Sequence, residues 1–156
     1  LKRKHEYYLA SLPDKNSHLS GIHALVRHRK LIRYATSPAG ITADMLGGFF
    51  VGWPNPPSPE THFSILKNSS HVVLAVDEEA SRVVGFINAV SDGIMSAYIP
   101  LLEVLPEYQG RGIGTELVRR MLSGCSNLYM VDTTCDPSLQ PFYVHGGHSS
   151  RVSGID

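Results

Sequence analysis

Apolar positions along the chain recur at two spacings, and the switch between them marks the elements. Residues 71–76, H-V-V-L-A-V, and 82–90, R-V-V-G-F-I-N-A-V, are short β-branched runs bounded by turn formers, and they predict two strands joined by a hairpin turn at 77–81. Residues 31–35, L-I-R-Y-A, predict an earlier strand, and 96–105 a later one, interrupted near Pro100, where a bulge or a sheet edge is expected. The spacing then changes. Ile113, Leu117, Val118, Met121 and Leu122 fall on one face at a period near 3.6, predicting an amphipathic helix over 113–123 with Gly124 as its stop. Glu116 and Arg120 stand four apart on its wet side. Residues 128–132 predict a strand entering beside 101–105, and a strand–helix–strand crossover of this kind makes the two parallel. Ser58-Pro59-Glu60 predicts a helix from 59 to about 68, with proline at its first position. Residues 41–46 predict a short helix with Thr42 at its N-cap, stopped by Gly47-Gly48. A last helix is expected from Pro137 or Ser138 through His145.

Two stretches resist this treatment. Residues 48–59, G-F-F-V-G-W-P-N-P-P-S-P, carry four prolines and three large aromatics, Phe49, Phe50 and Trp53, so a loop with much apolar area is expected there. Its aromatics either pin it to the core or form a wall of a substrate site. Residues 1–30 mix basic residues with histidines and read as a solvated basic extension.

The most informative stretch is the junction between the strand ending at Leu105 and the helix beginning at Ile113. Gly110, Gly112 and Gly114 leave the backbone there free to bend and to lie against a ligand. The amides that open a helix lack partners within it, and the helix dipole adds positive potential. Such a turn suits a phosphate or pyrophosphate, and Arg111 could add a charged contact. A P-loop is excluded because no Gly-Lys pair occurs in the chain. A dinucleotide fingerprint, G-x-G-x-x-G, needs its third glycine three residues after the second, where this chain has Thr115. Asp132 about twenty residues on would suit that reading, but too little chain follows it to finish a doubly wound sheet.

Residues 104–115, V-L-P-E-Y-Q-G-R-G-I-G-T, resemble the acyl-CoA-binding motif of the GNAT superfamily of N-acyltransferases, Q/R-x-x-G-x-G/A, here Gln109, Gly112 and Gly114, preceded by Val104, Pro106 and Tyr108. The resemblance covers roughly residues 31–147. It implies an α/β (α+β) GNAT fold, a mixed central sheet flanked by helices, here with the usual C-terminal hairpin missing after 147 and a short tail over 148–156. It implies that acetyl-CoA is the co-substrate, held at Val104, Leu105, Gln109, Gly110, Arg111, Gly112, Ile113, Gly114 and Thr115. The strand before the turn is expected to splay from its neighbour and take the pantetheine arm. Residues 140–147, Q-P-F-Y-V-H-G-G, resemble the family's final helix, which makes Tyr143 the acid that protonates the leaving sulfur. Glu103, flanked by leucines on one face of a strand, is a candidate general base, because burying a carboxylate needs a reason. An alternative assignment for Glu103 is a structural carboxylate, paired with an arginine or at a wet sheet face, and an alternative for the whole chain is a non-catalytic CoA-binding module. A backbone N–H near Val104 and Leu105 is expected to serve the oxyanion.

Charge and composition narrow the partners. Fourteen basic and fourteen acidic residues leave no net charge, which gives nucleic-acid or membrane-surface binding no electrostatic support. No apolar run approaches the length of about 18 residues needed for a membrane span. Cys125 and Cys135 are expected as buried apolar side chains in a reducing, cytoplasmic setting. The eight histidines show no zinc spacing, so no metal is expected. The expected acceptor is a primary amine on a small molecule or peptide. Without the hairpin, one wall of its site would come from residues 1–30 or from a second subunit, which would make the protein a homodimer.

Overall fold

The computed structural model describes residues 31–135. Strands β1 (Ile32–Ala35), β2 (His71–Asp77), β3 (Arg82–Ser91), β4 (Ser96–Val104) and β5 (Met130–Thr133) form one sheet in the order of the chain. The first four are antiparallel and β5 runs parallel to β4. The sheet is therefore mixed, as expected, and it carries helices on both faces. Helix α1 (Pro59–Asn68) opens as the sequence predicts, with the Ser58 hydroxyl accepting the Thr61 N–H at 3.3 Å and Pro59 in the first turn. Helix α2 (Ile113–Gly124) buries Ile113, Leu117, Val118 and Met121 against the sheet. Its wet side carries Arg119 and Arg120, both bonded to Glu116. The Arg120 guanidinium also lies 4.6 Å from the Tyr34 ring centre, tying α2 to β1.

Side-chain parity assigns each face. A Cβ at Gly85 in β3 would stand 3.1 Å from Leu117 and 3.3 Å from Ile113, so Gly85 and its cross-strand partner Val104 lie under α2. The next pair, Phe86 and Glu103, points to the opposite face, where Phe49, Phe50 and His62 of α1 pack around the Phe86 ring. Gly85 is thus a close-approach glycine: even a methyl there would require Leu117 and Ile113 of α2 to give by a few tenths of an ångström.

Three expectations need correction. The 41–46 segment is a 3-10 turn over Ala43–Leu46, and Thr42 makes no side-chain cap. Four residues ahead of two glycines are too few to nucleate an α-helix. Helix α2 includes Gly124, and the Cys125 N–H closes its end on Met121 and Leu122 carbonyls. Most consequentially, β5 pairs with Ser96–Ile99 of β4, not with 101–105. The β3–β4 register slips where Ile99 and Pro100 oppose the single residue Ala89, which is the bulge the sequence predicts at this proline. Pro100 has no N–H to donate, and the β4–β5 register ends at the residue before it.

Candidate active site

Beyond Pro100, β4 continues toward the glycine turn without β5 alongside. The Leu105 N–H donates to the Val84 carbonyl of β3 at 2.9 Å. By strand alternation the Val104 N–H then points away from β3, into the gap left by β5. The Val104 carbonyl accepts the Gln109 side-chain amide at 2.9 Å, so Gln109 fastens the bend to the strand it follows. Of the two amides expected to serve an oxyanion, Leu105 is thus committed to the sheet and Val104 is the one that faces the gap.

The bend itself is built as its glycines require. A 3-10 turn over Pro106–Tyr108 leads into Gly110 and Gly112, both left-handed at φ 70° and 78°, and Gly112 caps α2. The first intrahelical bond runs from the Glu116 N–H to the Gly112 carbonyl at 3.0 Å, so the preceding amides, Ile113, Gly114 and Thr115 among them, are the partnerless opening turn of the helix. A Cβ at Gly110 or Gly112 would meet no atom within 4 Å. The residues present fit a pyrophosphate here: bare amides, left-handed glycines, and open space in front of them. Arg111 is folded back, donating to the Glu107 carbonyl at 2.7 Å with its guanidinium 5.0 Å from the Tyr108 ring centre. Ile113 is buried beneath the helix start.

Tyr108 supports this bend from below. Its hydroxyl donates to Asp77 Oδ2 at 2.7 Å, and Asp77 Oδ1 accepts the Ala80 N–H at 3.0 Å. Asp77 is fully buried. Sequence reading placed it in a hairpin turn and missed that it seats the glycine bend; an acidic residue at the end of an otherwise apolar strand was the available signal. Tyr108→Phe is expected to leave Asp77 without this donor, lowering stability by about 1–3 kcal/mol in urea denaturation and weakening CoA binding in the same variant.

On the opposite face of β4, Glu103 is 6% exposed. Its carboxylate accepts the Phe50 N–H at 2.9 and 2.8 Å through its two oxygens, and the Val51 N–H at 3.4 Å. Parity assigned its face correctly, but the partner is a loop backbone more than fifty residues earlier, which no spacing announces. That loop is the aromatic segment of the sequence. Phe49 and Phe50 are buried in it, and Trp53 is half-exposed with its ring 5.3 Å from that of Phe50. The aromatics therefore do pin the loop to the core, and the exposed edge of Trp53 leaves it a surface as well.

His62, which sequence reading did not single out, sits among Phe49, Phe50 and Phe86 at ring distances of 5.2, 4.9 and 4.3 Å. Neither ring nitrogen has a hydrogen-bond partner among the described residues. Burial pushes its pKa down to about 4. The folded protein thus keeps it neutral while the unfolded chain takes a proton near the usual value of about 6.5. Between about pH 6.5 and 4 the unfolded state binds more protons, so stability falls as the pH drops, by on the order of 3 kcal/mol across that window. Urea midpoints measured at pH 7 and 4.5 are expected to differ less in His62→Leu than in the wild type.

Cys125 is buried against Met121, and burial raises its thiol pKa, which suits a packing role. Cys135 is half-buried. Among the described residues no group of three His, Cys, Asp or Glu side chains could hold a metal, and no helix is long and apolar enough to cross a membrane. Tyr143, the expected acid, lies outside the described residues, as do the expected last helix and the 1–30 extension.

Known proteins share this fold. The profile of the Acetyltransferase (GNAT) family matches residues 39–146. The chain belongs to this family. A crystal structure of a proposed acetyltransferase from Deinococcus radiodurans R1 is similar at 46% identity and a TM-score of 0.74, covering 80% of this chain and 86% of that one. A GNAT family acetyltransferase from Streptococcus pneumoniae TIGR4 follows at 30% identity and a TM-score of 0.60, covering 76% and 88%. An uncharacterized N-acetyltransferase of Pyropia yezoensis is 26% identical over 109 residues; the match takes in 67% of this GNAT chain and spans 62% of that curated relative's length.

Proposed function

We propose that this GNAT protein is an acetyl-CoA-dependent N-acetyltransferase that acetylates a primary amine of a small molecule or peptide by direct attack in a ternary complex. The observation that carries the reading is the glycine bend that caps α2, reached from a β4 whose register with β5 ends, among the described residues, at Ile99. Acetyl-CoA would supply the acetyl group as an activated thioester. The amides of Gly112, Ile113, Gly114 and Thr115, at the positive end of α2, would hold its pyrophosphate, with Gly110 giving the chain room to turn. Arg111 could swing from the Glu107 carbonyl to add a charge. The half of β4 that β5 does not pair would take the pantetheine arm, on its side away from β3, by main-chain hydrogen bonds, as an added strand would.

The Val104 N–H is the group that would receive the negative charge developing on the carbonyl oxygen as the amine adds. Tyr143 is proposed to give its proton to the departing sulfur: a phenol with a reference pKa near 10 is protonated at neutral pH and lies within about two units of a thiol. The acceptor amine would approach from the side of the 47–53 loop. Neither cysteine sits in a nucleophile's setting, in keeping with direct transfer. Release of free thiol from acetyl-CoA, followed across a panel of small amines and peptides, tests the proposal. Turnover with at least one amine supports it. CoA binding without turnover across a broad panel would mean a non-catalytic CoA-binding module instead.

A further inference from the structure

The 47–53 loop is held in a conformation that its sequence does not favour. Gly48, Phe50 and Gly52 all have left-handed backbones, at φ 91°, 62° and 78°. Glycine adopts this region freely, whereas for phenylalanine it costs roughly 1–2 kcal/mol. A glycine at position 50 would remove that cost and also the ring that packs on His62, Phe86 and Trp53. The strain is held by its surroundings, as is common near functional sites. The Trp53 N–H closes the turn on the Phe50 carbonyl at 3.1 Å. The Phe50 N–H is received by both oxygens of buried Glu103, a charge-assisted bond in a site shielded from water. At the loop's start, Arg82 donates to the Gly47 carbonyl at 3.1 Å and pairs with Glu107 at 3.4 Å, in the turn that precedes the glycine bend.

We propose that Glu103 is a positioning residue: its carboxylate clamps the left-handed Phe50 backbone and so fixes the wall formed by the exposed Val51 and Trp53, against which the acceptor amine is held. That this wall faces the acceptor rests on the transferase reading above; the clamp itself does not. The carboxylate directs both oxygens at a loop amide, an arrangement suited to holding main chain rather than to collecting a proton from substrate. Because Glu103 lies on the strand that also carries Val104, the clamp sets the acceptor wall and the oxyanion amide in one frame, one residue apart.

Trp53 is the one tryptophan in the chain, so its fluorescence reports this loop alone. In E103Q, acrylamide quenching of Trp53 is expected to rise about twofold, and chymotryptic cleavage within 47–53 to quicken about tenfold, as one charged bond of ~1.4 kcal/mol is lost. The thermal shift produced by CoA should persist. With an amine substrate in hand, acceptor KM should rise about tenfold while kcat stays within about threefold and the pH profile keeps its acidic limb. Wild-type quenching and cleavage in a folded E103Q overturn the clamp. A kcat loss above about a hundredfold with the acidic limb gone and the loop unmoved makes Glu103 the general base instead. Should E103Q not fold, hydrogen exchange in the wild-type protein decides: a protected Phe50 amide supports the clamp, and one exchanging at the open-chain rate refutes it. If no amine is ever turned over, the transferase reading fails while quenching and exchange still judge the clamp.

Discussion

Gly112→Glu is expected to leave the protein folded and unable to bind acetyl-CoA. A Cβ at this position meets no atom of the described residues within 4 Å, so the side chain starts into open space rather than into the core. Its left-handed backbone, at φ 78°, costs an ordinary residue roughly 1–2 kcal/mol. That cost is small beside the effect on the ligand, since a carboxylate would stand where the pyrophosphate is to lie, at the end of α2 whose dipole favours an anion. A loss of at least about a hundredfold in affinity is expected, equivalent to about 2.7 kcal/mol. Gly40→Glu provides the control. Gly40 is also left-handed, at φ 79°, also has open space at its Cβ, and lies in a different loop. Titration of CoA by calorimetry into both variants separates backbone strain, which they share, from obstruction of the site, which only Gly112→Glu produces. Equal affinities in the two would remove the glycine bend from the CoA site.

Tyr143→Phe is expected to act on turnover and leave binding almost untouched. Positioned general acids contribute typically 10²–10⁴-fold to rate. Removing the phenol proton should therefore lower kcat by about that range, with CoA affinity within about threefold of wild type. The leaving sulfur would then depart as thiolate or borrow a proton from water, and the loss should shrink for thioesters of more acidic thiols. Wild-type turnover in this variant would withdraw the acid assignment while leaving the CoA site standing, because the two rest on different residues.

Most of the fold is legible in the sequence because most of it is decided locally. β2 and β3 are β-branched runs, α2 is a 3.6-period stripe, and Ser58-Pro59 begins α1 where its chemistry says it should. The glycine bend is equally local, with Gln109, Gly110 and Gly112 doing what their residue types permit. What the sequence conceals depends on distant partners. Pro100 marks a bulge in β4, yet only the register shows that β5 keeps to the 96–99 half. Glu103 is visibly anomalous between leucines, yet its partner Phe50 lies across the sheet in a loop with no periodicity. Asp77 and Tyr108 are thirty-one residues apart and meet only because the β2–β3 hairpin folds under the bend. The short 41–46 segment has apolar residues at a helical spacing but ends in two glycines before an α-helix can propagate.

The division of β4 at Pro100 has an implication for how the molecule treats its guest. Past that residue no described strand pairs with β4 on the side away from β3, and a guest rich in amides could pair there by the geometry a polypeptide would use. A CoA held there would tie this half of β4 to the glycine bend and to α2, so binding is expected to raise the melting temperature of the whole sheet.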